Sequence, residues 1–174
     1  MGTGLALGNA TGVLVGQAIG AGEPNRARMT GLLGIGIGFA IGLTIAVVLL
    51  VFRAEVAALY TLDGTVREIA ATLLALVAIY HITDAVQAVT VNALRGYKRT
   101  VVPMIVATVS LWGLGLGGGY WLALAQAAPL GARGFWIAAI ASLGLATVIL
   151  TAYFWVVSNP RPLHSSRATQ SSRA

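Results

Sequence analysis

The sequence predicts an all-α protein embedded in a membrane, a helical bundle of about five transmembrane helices. Three observations carry this. Only 9% of the residues are charged and 57% are hydrophobic, whereas a soluble domain carries about 25% charged residues. The mean hydropathy is +0.85. The apolar residues fall in long runs, and a helix needs about 20 such residues to cross a bilayer.

The first run, residues 2–19, is marginal in length. "GAGEPN" then breaks the helix with Gly20 and Gly22, and Pro24 can open the next one. The second run covers 30–52. Beyond Phe52, the spacing of Val56, Leu59 and Tyr60 suits a short helix at the membrane surface. Asp63-Gly64 turns the chain, and Thr65 with Glu68 matches the T-x-x-E capping box that opens a third helix over 66–94. The fourth run, 100–124, carries Pro103 in its first turn, where proline costs little. The fifth covers 134–157. Residues 1–158 therefore form one transmembrane bundle, and the polar stretch 159–174 is expected to be a disordered cytoplasmic tail.

Basic residues orient the bundle, because cytoplasmic loops carry the excess of Lys and Arg. With the loop after the first helix in the cytoplasm, Arg26, Arg28, Arg95, Lys98, Arg99, Arg161, Arg167 and Arg173 lie on that side. Only Arg53, Arg67 and Arg133 lie opposite, with Glu55, Asp63 and Glu68. The expectation is a multi-pass protein of a bacterial inner membrane with a cytoplasmic C-terminus. Met1 is followed by no Lys or Arg until Arg26, so the start lacks the charged region of a signal peptide. The net charge of +6 sits in short clusters between apolar runs, which argues against nucleic acid as a partner and for membrane lipid.

Glycines recur every fourth residue at Gly4, Gly8, Gly12, Gly16 and Gly20. A nucleotide-binding loop is one reading, since Gly2, Gly4 and Gly8 fall one residue off the dinucleotide fingerprint. That fingerprint needs a preceding strand, and none fits here. A spacing of four also aligns the glycines on one helix face. Each costs a helix roughly 1 kcal/mol relative to alanine, which close approach of another helix can offset. Gly34, Gly38 and Gly42 repeat the pattern in the second helix, and Gly113 and Gly117 in the fourth.

The third helix holds polar residues at depth. Asp84 lies ten residues before Leu94, roughly 15 Å at about 1.5 Å per residue, or half of a hydrocarbon core about 30 Å thick. An aspartate there costs about 2.5–3.5 kcal/mol on insertion scales and marks a cation or proton site. The alternative is a protonated carboxyl bonded to a neighbouring helix. Tyr80 (i−4), His81 (i−3) and Gln87 (i+3) can share its face. His81 reads equally well as a neutral core histidine, and Asn92 as a residue satisfying a helix end. Cysteine is absent and neither histidine belongs to a metal-spaced cluster. No metal site beyond sodium at Asp84, no cofactor and no enzymatic arrangement is expected.

Three segments resemble the multidrug and toxin extrusion transporters, the MATE family. "VGQAIGAGEPNRAR" (Val15–Arg28) is similar to a loop between two helices of one lobe, and "PLGARGFWIA" (Pro129–Ala138) to the entry of the twelfth helix. "YHITDAVQAVTVNALRGYKRTVVPM" (Tyr80–Met104) is similar to the region around the tenth, with Asp84, Gln87, Ala93, Leu94, Arg95, Gly96 and Pro103 matching its pattern. The resemblance implies a C-terminal portion of a twelve-helix, two-lobe antiporter that exports organic cations in exchange for sodium ions or protons. It implies that Asp84 helps bind the coupling cation with Tyr80 beside it, and Gln87, on the same helix face, is expected to support them. The family's glutamate on the seventh helix and its whole N-terminal lobe have no counterpart here. The chain is therefore expected to be inactive alone and to need those helices or a complementary chain as partner. A lipid-linked oligosaccharide flippase and a non-transporting membrane subunit are the other readings. The flippase ranks lower because the basic residues lie at the helix ends.

Overall fold

The structure, a computed structural model, describes residues 2–125 and 130–159. Among these residues all regular structure is helical, in six helices: α1 (Gly2–Gly20), α2 (Pro24–Val51), α3 (Arg53–Tyr60), α4 (Gly64–Gly96), α5 (Val101–Ala125) and α6 (Ala132–Ser158). The polar tail at 160–174, with Arg161, Arg167 and Arg173, lies outside the described residues, as does Pro129.

Helices α2, α4, α5 and α6 are long and apolar enough to cross a membrane. This is a multi-pass membrane protein. α1 is not among the four. Its 19 residues span roughly 28 Å at about 1.5 Å each, but its glycines, Asn9, Thr11 and Gln17 dilute the apolar content.

Local chemistry sets the helix limits. Pro24 opens α2, which starts earlier than the apolar run because a first-turn proline gives up no helical hydrogen bond. Gly22, at φ 76°, makes the preceding turn. α3 breaks from α2 at Phe52. The cap of α4 differs from the sequence expectation. Asp63, rather than Thr65, closes its N-terminus, and its Oδ1 accepts from the Thr65 and Val66 amides at 2.8 and 3.1 Å. Thr65 lies inside the first turn, where its side chain cannot reach the exposed amides.

α4 is the central element, packing against α1, α2, α3 and α6. Glycines set its distance from α1 and α2. A Cβ added to Gly12 would lie 2.6 Å from the Asn92 carbonyl oxygen, and one added to Gly96 would lie 2.7 Å from that of Gly12. Gly8 abuts Asn92 and Ala88, Gly38 meets Val89, and Gly42 meets Ala85 and Ile82. Gly4 and Gly16 stand further off, at 3.7 and 3.8 Å from α4. Gly34 rests on Thr11, which bonds back to the Leu7 carbonyl. Gly20 departs from the expected face. A Cβ there would meet nothing within 4 Å, because α1 ends as the chain turns away.

α5 packs on α6 rather than on α4. It is also not the plain α-helix its sequence suggests. It is α-helical to Val109, π-helical over Ser110–Gly117, and π-helical again over Trp121–Ala125. The wider i→i+5 turn rotates its faces. Gly113 is consequently open, and Gly117 meets only the Trp112 carbonyl of its own helix. Gly119 packs on Phe135 instead, and Gly134 of α6 on the Leu122–Ala123 backbone.

One end of the bundle is basic and tightly joined. Val15, Ala18, Ala27, Ala93, Leu94, Leu150 and Phe154 form its buried core. The Phe154 ring lies against Gly31 and meets Tyr97 edge-on at 5.8 Å. Arg28 donates to the Asn159 side-chain oxygen at 2.8 Å and sits 4.7 Å over the Trp155 ring. Burial pushes the Tyr97 hydroxyl above the usual tyrosine range, while Arg28 pulls the other way.

Candidate functional site

Asp84 stands twelve residues before the end of α4, roughly 18 Å from the basic end at about 1.5 Å per residue. It is half-buried. Tyr80 and Gln87, one turn to either side, line the same cavity of about 310 Å³. Helical spacing alone aligns the three. The cavity exists because α5 leans on α6 and leaves a cleft beside α4, which α6 floors. Tyr80 is fixed there by an edge-to-face contact with Trp136 of α6, centroids 6.0 Å apart. Such a pair is worth about 0.5–1.5 kcal/mol beyond burial.

Two polar residues that the sequence reading did not single out face the same cavity. Ser110 begins the π-helical stretch of α5, and Ser142 lies on α6. The Ser142 hydroxyl donates to the Ser110 carbonyl at 2.7 Å, and both residues are buried. Ser142 is one of two polar residues, with Thr147, in the apolar run "IAAIASLGLATV", and that polarity was the available signal.

Asp84 also borders a second cavity of about 260 Å³ between α1, α2 and α4, lined by Gly4, Leu5, Gly42, Ile45 and His81. His81 thus shares a cavity with Asp84, but on the opposite side from Tyr80 and Gln87. Asn92 is buried away from both. Its side chain donates to the Ala88 carbonyl at 2.8 Å and accepts from Arg95 at 3.3 Å.

Among the described residues the one ion pair, Arg26–Glu23 at 2.9 Å, is at the basic end, and none reaches Asp84. Nor do any three of His, Cys, Asp and Glu converge among them. The groups gathered at Asp84 are a carboxylate, a phenol, an amide and hydroxyls. Such oxygens suit a hard monovalent cation or a proton better than a transition metal.

Comparison with known proteins gives three findings. The MatE family model matches residues 1–121. A probable multidrug resistance protein NorM of Aromatoleum aromaticum is 45% identical over 151 residues, and the multidrug resistance protein NorM of Burkholderia vietnamiensis is 40% identical over 151. These alignments cover 83% and 84% of this chain but 32% of either relative. The chain thus spans about a third of the length of the curated relatives it matches. The crystal structure of the eukaryotic MATE transporter AtDTX14 superposes with a TM-score of 0.78 at 22% identity, over 90% of this chain and 34% of that one. At that identity the likeness concerns the fold.

Proposed function

This chain belongs to the MatE family, and on that premise we propose that it is part of a secondary antiporter exporting cationic, amphipathic compounds in exchange for sodium ions or protons. The observation that carries the reading is the gathering of Tyr80, Asp84 and Gln87 on one cavity between transmembrane helices. Placing a carboxyl in a membrane helix costs a few kcal/mol. A bound cation or proton offsets that cost, and the phenol and amide supply further oxygens.

Asp84 is the coupling-cation ligand, with Tyr80 and Gln87 in support. The basic end, with Arg26, Arg28, Arg95, Lys98 and Arg99, faces the cytoplasm of a bacterial inner membrane. Alternating access rocks one lobe or repeat against another. A chain spanning a third of its relatives' length supplies too few helices for that cycle, so transport requires the remaining helices in the same or a companion chain. The transported compounds move with them, and the present chain alone exports nothing.

The test is a chimera. Residues 1–158 replace the matching third of the Burkholderia vietnamiensis relative, and efflux of the fluorescent cation ethidium is measured with and without a sodium or proton gradient. Gradient-driven efflux that Asp84→Asn abolishes is expected. Efflux and gradient dependence unchanged by Asp84→Asn would remove Asp84 from the mechanism.

A further inference from the structure

The three polar side chains from α4 reach the cavity from one side only. A hard cation surrounds itself with oxygen ligands, so a cation at Asp84 needs partners across the cleft. On the walls built by α5 and α6 the described lining residues are Ala107, Leu111, Ala139, Leu143 and Ala146, all apolar, together with Ser110 and Ser142. Those two serines are also the residues joined by the 2.7 Å bond at the point where α5 becomes π-helical. Each carbonyl and hydroxyl oxygen carries two lone pairs. The Ser142 hydroxyl spends its proton on the Ser110 carbonyl and keeps acceptor capacity. The Ser110 carbonyl, which opens the π-helical stretch, also accepts from its own helix, so its two lone pairs are taken and the Ser142 hydroxyl is the oxygen left with capacity.

We propose that the Ser142 hydroxyl is a cation ligand facing Asp84 from the opposite wall. The inference rests on the reading of Asp84 given above and adds a partner from α6. Its consequence is mechanical. A cation held between α4 and the α5–α6 pair closes the cleft by bridging it.

The experiment uses the full chain in lipid nanodiscs, with binding of radiolabelled sodium as readout and thermal melting as the control for folding. Ser142→Cys is nearly isosteric and replaces a hard oxygen with a soft sulfur. It should weaken sodium binding by about tenfold or more with melting close to the parent's. Ser142→Thr, which keeps the hydroxyl, should bind sodium much as the parent does, and Asp84→Asn should abolish binding. Parental affinity in Ser142→Cys, alongside loss in Asp84→Asn, overturns this inference and leaves the reading of Asp84 standing. Parental affinity in Asp84→Asn overturns both. Absence of sodium binding by the parent chain also overturns the inference, since a bound proton needs no second wall.

Should Ser142→Cys fail to fold, the cleft width decides. The chain has no native cysteine, so spin labels at Ile79→Cys and Leu116→Cys, both exposed positions, report on α4 and α5 with Ser142 intact. Sodium should shorten that distance, and an unchanged distance overturns the inference.

Discussion

Gly34 and Thr11 touch backbone to side chain: the Thr11 hydroxyl and methyl occupy the space a Cβ on Gly34 would need. Two residues along the same helix, Gly36 faces open space, with nothing within 4 Å of its own missing Cβ. The pair separates packing from propensity. Gly34→Ala should destabilise the bundle by about 1–3 kcal/mol through overpacking. Gly36→Ala should stabilise it by roughly 1 kcal/mol, the helix-propensity difference. Reversible unfolding in mixed detergent micelles measures both, and equal effects would refute the packing assigned to this face.

Gly12→Leu should separate α1 from α4. The Asn92 carbonyl already lies 2.6 Å from where even a Cβ would stand. A variant that inserts and melts like the parent would show that α1 and α4 do not meet there. Gly20→Ala, with nothing nearby, should by comparison change melting little.

The cap of α4 offers a third check. Asp63→Ala should cost about 0.5–2 kcal/mol, because the Thr65 and Val66 amides lose their acceptor. Thr65→Ala should cost little, since its hydroxyl is not the cap. A larger loss from Thr65→Ala than from Asp63→Ala would restore the T-x-x-E reading.

Tyr97 predicts an alkaline effect. Its hydroxyl is buried without a hydrogen-bond partner among the described residues, and burial raises its pKa above the ordinary value of 10.0. The sign follows from linkage. Above pH 10 the unfolded chain gives up this proton more readily than the folded one, so folding stability falls as pH rises through the folded-state value. Tyr97→Phe removes that contribution. It should melt at or somewhat above the parent near neutral pH, since a buried hydroxyl without a partner costs stability rather than adding it, and lose less stability than the parent above pH 10. Parallel profiles for the two proteins would remove Tyr97 as the source.

The clamp at the basic end is the fifth. Arg28→Lys keeps the charge but loses the planar group that both lies over Trp155 and reaches Asn159. A loss of about 0.5–1 kcal/mol is expected from the ring contact, measured by the same unfolding assay. Arg28→Ala losing no more than Arg28→Lys would show that the planar group carries the contact.

What the sequence disclosed, and what it withheld, follows from the range of the forces involved. Asp84, Tyr80 and Gln87 could be placed on one face because helical periodicity is local and any helix obeys it. The glycine faces of α1 and α2 were legible for the same reason. The π-helical turns of α5 were not. The first begins where Ser142, 32 residues beyond Ser110, bonds to it, a contact no local pattern reveals, and the wider turn sends Gly113 away from the face that spacing of four assigns. The cap at Asp63 was missed because Asp63 and Thr65 are both competent N-caps, and only the position of the first turn decides between them.

The division of labour around α4 has a last consequence. On one flank it lies close against two glycine-lined helices, so there is little space for side chains to rearrange. On the other, α5 and α6 hold one another through Ser142, Phe135 and Gly134. α5 joins the rest of the bundle chiefly through α6, which itself packs on α4, so the seam between α4 and α5 is the loosest beside the site. Asp84 borders a chamber on either side of α4, so a shift of any neighbouring helix would be felt at its carboxyl.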